Sequence, residues 1–136
     1  WPHTRLLKAS SLYRTAPVDA DGPDYINAVV EVQTGLSPLG LLHHCQLQEQ
    51  AAGRQRPYRN APRTLDMDIV LYADQHVDLP ELTVPHPRMW QRAFVLVPLA
   101  EIAPEKVSRQ QLQTVLEQRI ERLAAAHADE PQDGRA

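Results

Sequence analysis

An α+β domain is what this sequence predicts, and three groups of residues predict it. Residues 5–15 (RLLKASSLYRT) and 25–34 (YINAVVEVQT) are rich in β-branched and aromatic residues and read as strands. Residues 37–53 (SPLGLLHHCQLQEQAAG) read as a helix, with Ser37 as N-cap, Pro38 in the first turn and Gly53 just past the end. Residues 108–128 space Leu112, Val115, Leu116, Ile120 and Leu123 as one face of an amphipathic helix.

The remaining elements follow in order. Within 25–34 the period of two puts Ile26, Ala28, Val30 and Val32 on one face and Tyr25 with Asn27 on the other. APVDADGPD, between the two strands, is a loop of turn formers. After the helix comes an arginine-rich loop, then the strand TLDMDIVLYA (64–73), then ADQHVDL, a tight turn into a short partner strand. PELTVPHPRMW is a proline-braced loop, and residues 91–103 read as a short buried helix that Pro98 bends or ends. No internal repeat and no domain boundary interrupts residues 1–126, and 127–136 read as a flexible tail.

Composition narrows the function classes. The 136 residues are 43% hydrophobic and 23% charged, within the ordinary globular range. A single cysteine, Cys45, allows no internal disulfide and no cysteine-built zinc site, which suits a reducing cytoplasm. No apolar run has the length of a membrane span, and no signal-peptide pattern opens the chain. A net charge of -3 argues against a nucleic-acid binder. Twelve prolines against five glycines imply stiff loops, where sites tend to be built. The first residue is Trp1 rather than methionine, which reads as a processed or truncated product.

The chemistry concentrates in RPYRNAPRTLDMDIV, residues 56–70. On a strand, Leu65, Met67 and Ile69 point one way and Asp66 and Asp68 the other, about 7 Å apart. Aspartate is depleted in strands, so the pair needs a reason. Pairing with surface arginines is one. A hard-cation site is the other, because Mg²⁺ takes one or two carboxylates and completes its shell with phosphates and waters. Arg54, Arg56, Arg59 and Arg63 fall within ten residues, just ahead of the aspartates. Such a run is often only a solvated surface, but guanidinium groups also grip phosphate oxygens in a fork. A magnesium–nucleotide complex satisfies both signs at once. Neither a P-loop nor a G-x-G-x-x-G stretch is present.

Tyr25 and Asn27 share a face and together suit a flat heterocycle, by stacking and by edge hydrogen bonds, with Phe94 as a second face. Any of these rings taken alone is more often a packing residue. His86, held between Pro85 and Pro87 just before Arg88 and Arg92, is a further phosphate candidate. His43 and His44 face different directions on their helix and read as surface or half-buried residues.

The segments SSLYRTAPV, PDYINAVVEV, EQAAGRQR, APRTLDMDIVLY and LTVPHPRMWQRAFVLVPLAEIAPE occur here in an order and spacing that resembles 6-hydroxymethyl-7,8-dihydropterin pyrophosphokinase, over residues 5 to 123. The resemblance implies a ferredoxin-like α+β fold, an antiparallel sheet flanked by helices, and a Mg²⁺-dependent transfer of pyrophosphate from ATP to the pterin alcohol in folate biosynthesis. In-line attack of the hydroxymethyl oxygen on the β-phosphorus would release AMP. Asp66 and Asp68 would hold two Mg²⁺ ions on ATP, with one of them taking the proton. Arg54, Arg63, His86 and Arg92 would bind phosphates, with Arg56 as an auxiliary. Gln46, Glu49, Leu82 and Thr83 resemble nucleotide contacts. Tyr25 and Phe94 would sandwich the pterin, while Asn27 and the backbone from Thr15 through Ala16 to Val18 read its edge. Loops 16–24, 54–63 and 80–92 would close over the substrates. The family implies a cytoplasmic monomer without nucleic-acid or membrane partners.

The chain also departs from that pattern. The family's first strand and helix are missing ahead of Arg5, so an N-terminally truncated fold with two unpaired edges is expected, and with it pairing of two copies through an edge. Asn60-Ala61 stands where Trp-Gly is frequent, with Tyr58 as a substitute. Ala16 stands where proline is common, and Pro87 removes a donor. Two rival readings accompany the resemblance: a different Mg²⁺-dependent nucleotidyltransferase or nuclease, and a truncated, inactive remnant serving as a binding module.

Overall fold

The computed structural model describes residues 1–16, 24–53 and 65–125, which form an α+β fold. Its contacts divide the chain into two compact units, Trp1–Thr4 with Thr34–Pro87, and Arg5–Gln33 with Arg88–Ala136.

In the first unit, Ser37 starts helix α1 (Pro38–Gly53) as its side chain allows. Its Oγ accepts from Gly40 N–H at 3.0 Å and its carbonyl from Leu41 N–H at 2.8 Å, which satisfies two donors that a helix start leaves open. Leu41 and Cys45, one turn apart, face a core completed by Ile69, Leu82 and Val84, with Leu36, Leu42, Met67, Tyr72 and Val77 against it. Segment 65–72 keeps the predicted alternation: Met67 is half-buried and Ile69 buried, while Asp66 and Asp68 are exposed. It joins no ladder among the described residues, however. Its backbone groups go elsewhere: Met67 N–H to the Glu49 carboxylate and Val70 carbonyl to His86 N–H. The short strand after the Ala73–Asp74 turn, β5 (Val77–Asp78), therefore pairs with β6 (Thr83–Val84).

In the second unit the two predicted strands each divide. Residues 5–15 become β1 (Thr4–Ala9) and β2 (Ser11–Thr15), and 25–34 become β3 (Tyr25–Asn27) and β4 (Val30–Thr34). β1 pairs with β4 and β2 with β3. The break sits at Ser10, which is fully buried. Its N–H donates to the Val29 carbonyl at 2.8 Å, and its Oγ accepts from Val29 N–H at 2.9 Å, so a hydroxyl stands in for a ladder carbonyl. The face predicted to be apolar and shared is not covered: Ile26 is 54% and Val30 52% exposed.

Residues 91–103 form helix α2 (Ala93–Ile102), which packs on β2 and continues through the buried Pro98 rather than ending there. The long C-terminal helix does not form. Ser108 and Gln111 close a capping box on α3, yet α3 covers only Arg109–Thr114, and Ile120–Ala125 is a strand, β7, antiparallel to β2. Gln118 anchors the turn between them, accepting from Ala93 N–H at 2.9 Å and donating to the Gln91 carbonyl at 2.7 Å. Pairing then completes the order β3-β2-β7 and outweighs the helical propensity of this stretch. Leu116, predicted on the buried face, is 77% exposed. The single flanked sheet expected is seen as three sheets among the described residues.

Candidate active site

The first unit carries Gln46, Glu49, Asp66, Asp68, Leu82, Thr83 and His86. Asp66 and Asp68 project outward because their neighbours Met67 and Ile69 pack inward. Glu49 lies two turns along α1 from Leu41 on the same face, and its Oε2 accepts from Met67 N–H at 2.6 Å. Burial pushes the Cys45 thiol pKa up, and the negative charges of Glu49 and Asp68 add to that. Gln46 and Thr83 are exposed, Leu82 is buried and His86 half-buried. His43 is exposed and His44 half-buried, its ring centroid 5.8 Å from that of Trp1.

Two outward carboxylates on a segment fixed by its apolar neighbours are a donor set that fits a hard cation, provided other oxygens complete the shell. Among the described residues no group of three or more His, Cys, Asp or Glu could hold a metal by itself.

The second unit carries Thr15, Ala16, Tyr25, Asn27, Arg92 and Phe94. Antiparallel register sets Tyr13 opposite Asn27 and Thr15 opposite Tyr25, so all four share one face. Asn27 Nδ2 donates to Thr15 Oγ1 at 2.8 Å, which leaves its other N–H and its carbonyl for a ligand edge. Tyr25 is 60% exposed, a ring standing open to a stacking partner. Arg92 and Phe94, assigned to different substrates from sequence, meet: the guanidinium carbon lies 5.2 Å from the ring centroid, a cation–π contact. Val18, Arg54, Arg56 and Arg63 lie outside the described residues, as do Tyr58, Arg59 and Asn60-Ala61.

Sequence reasoning missed Glu101. Its carboxylate accepts from Ser11 N–H at 3.0 Å, Ser11 Oγ–H at 2.8 Å and Tyr13 O–H at 2.6 Å, and Arg122 approaches to 3.5 Å. Burial pushes its pKa up, but the hydrogen bonds from Tyr13 and Ser11 and the charge of Arg122 together outweigh that and hold Glu101 below its ordinary value. Burial, together with the bond to Glu101 and its charge, pushes Tyr13 up to about 12. The available signal was one acid in the apolar run AFVLVPLAEI, since such a charge needs partners.

Comparison with known proteins adds the family. Residues 2–104 match the sequence profile of 7,8-dihydro-6-hydroxymethylpterin-pyrophosphokinase. The chain is similar to three relatives named 2-amino-4-hydroxy-6-hydroxymethyldihydropteridine pyrophosphokinase. One, from Pseudomonas aeruginosa, is 50% identical over 105 residues, 76% of this chain and 65% of the relative. One from Synechocystis sp. is 44% identical over 110 residues, 81% of this chain and 56% of the relative. One from Haemophilus influenzae is 46% identical over 106 residues, 77% of this chain and 66% of the relative. The chain thus spans between 56% and 66% of the length of these relatives.

Proposed function

Since this chain belongs to the 7,8-dihydro-6-hydroxymethylpterin-pyrophosphokinase family, we propose that it transfers pyrophosphate from ATP to 6-hydroxymethyl-7,8-dihydropterin, releasing AMP, as a step of folate biosynthesis. The observation that carries the reading is the outward carboxylate pair, Asp66 and Asp68, on a segment whose alternate residues are fixed in a core. A phosphoryl donor of high negative charge requires a cation between itself and such a pair.

Asp66 and Asp68 would hold Mg²⁺, two ions with ATP, and the metal would neutralise charge on the phosphate oxygens. Arg92 and His86, with Arg54, Arg56 and Arg63, bind the phosphates and offset the charge that builds on the leaving oxygens. Gln46, Leu82 and Thr83 belong to the nucleotide side. Asn27, its amide oriented by Thr15, reads the pterin edge along with the backbone of Thr15, Ala16 and Val18, while Tyr25 and Phe94 take the ring faces. Bound in line, the hydroxymethyl oxygen attacks the β-phosphorus as AMP departs, and Asp66 or Asp68 accepts the proton. Residues 1–126 act as one domain, in the reducing cytoplasm that the lone Cys45 suits, and the tail expected at 127–136 lies outside the described residues.

Release of AMP from ATP and Mg²⁺, with and without the pterin alcohol, tests this. Pterin-dependent AMP is the expected result. Binding of both substrates without AMP would make the chain a binding module, and binding of neither would leave only ancestry.

A further inference from the structure

Met67 is the residue between Asp66 and Asp68, and three constraints meet on it. Its side chain packs against the core of Leu41, Cys45, Ile69, Leu82 and Val84. Ile69, two residues on, is buried in that core. The Met67 N–H donates to Glu49 Oε2 at 2.6 Å, short enough for a charge-assisted bond. The first two constraints set which side of the segment faces inward, but they leave the peptide between Asp66 and Met67 free to rotate. The third fixes that plane, and with it the directions in which the flanking Cα–Cβ bonds leave the chain.

The negative charges of Glu49 and Asp68 both act on the Cys45 thiol, and the Met67 bond brings a third carboxylate beside the segment that bears the pair. What Glu49 gains is a backbone donor, and helix α1 presents it on the same face as Leu41 and Cys45.

We propose that Glu49 is a positioning residue for the Asp66–Asp68 pair, holding the peptide between them, and that it does not touch the nucleotide. This rests on the reading of Asp66 and Asp68 as the carboxylates of a metal–nucleotide site, and it names what aims them. An outer partner of this kind acts on metal affinity through geometry, so an acceptor of the same shape without the charge serves nearly as well.

Two variants separate the roles. Glu49→Ala removes the acceptor, and Glu49→Gln keeps one at the same reach. The probes are Mn²⁺ with a non-hydrolysable ATP analogue, the same analogue without metal, and amide exchange at Met67 followed by NMR. Glu49→Ala is expected to weaken metal-dependent binding by about 10-fold or more, the usual cost of losing an outer partner. Metal-free binding stays unchanged, and the Met67 amide loses protection. Glu49→Gln restores most of the affinity and the protection. Equal loss in both variants, with Met67 still protected in Glu49→Gln, would overturn the proposal in favour of a contact through charge. Loss of metal-free binding in Glu49→Ala would overturn it in favour of a direct nucleotide contact. Unchanged Mn²⁺-dependent binding in Asp66→Ala and Asp68→Ala would instead bring down the metal reading, and this proposal with it, whatever Met67 does.

Discussion

Asp66 and Asp68 declared themselves in the sequence because a strand disfavours them and the period of two sets them on one side. Their exposure between a half-buried Met67 and a buried Ile69 keeps that reading intact even though no ladder forms. Removing either carboxylate, as in Asp66→Ala or Asp68→Ala, should lower kcat on the order of 10³-fold, because a metal-held charge supplies several kcal/mol. Wild-type turnover in either variant would end the assignment. Glu101 showed only as one acid in an apolar run, and its role was hidden because its partners Ser11, Tyr13 and Arg122 are remote in sequence. Its consequences are read in pH. With its folded pKa lowered, Glu101 contributes stability above the unfolded carboxylate range and loses it as pH falls through the folded value. Tyr13 behaves in the reverse sense. The unfolded phenol loses its proton at an ordinary pKa of 10.0 while the folded one holds it to about 12, so stability declines as pH rises across that window. Urea melts of Tyr13→Phe should show a shallower decline there, and those of Glu101→Gln a shallower decline on the acid side. Slopes identical to the parent's would refute the linkage.

At the scale of elements, part of what is set locally was legible, though α2 continues through Pro98 and segment 65–72 joins no ladder among the described residues. Ser37, Pro38 and the apolar spacing define α1, and Ser108 with Gln111 defines the start of α3. What depended on a distant partner was not. IERLAA has helical propensity, and only the open edge of β2, about a hundred residues earlier, makes it a strand. Ser10 hid in the same way, since a buried serine spanning a strand break is set by Val29 rather than by its neighbours. Ending the chain after Arg119 should therefore cost the second unit its cooperative melt, because β2 would lose a whole neighbouring strand. A sharp circular-dichroism transition at the parent temperature would contradict that. Ser108→Ala should cost only about 1 kcal/mol in urea unfolding, the usual cost of one cap.

At the scale of the whole molecule, the family was legible and its profile matches residues 2–104, while the arginine loop lies outside the described residues. The second unit leaves apolar residues exposed: Leu6 is 60%, Ile26 54% and Val30 52% exposed. Strand edges bearing such residues, with no neighbouring strand among the described residues, favour pairing with another chain. Sedimentation equilibrium at rising concentration should therefore reveal a dimer that Leu6→Lys weakens, whereas a monomer at every concentration would exclude edge pairing.

One buried atom allows some of this to be timed. Cys45 is 5% exposed, has its thiol pKa raised by burial, and is the only cysteine in the sequence. A thiol reagent in excess must wait for α1 to part from the segment bearing the aspartates, so one label per chain, taken up at a measured rate, counts those openings. The protein carries its own stopwatch, and a ligand that fastens Asp68 should slow it.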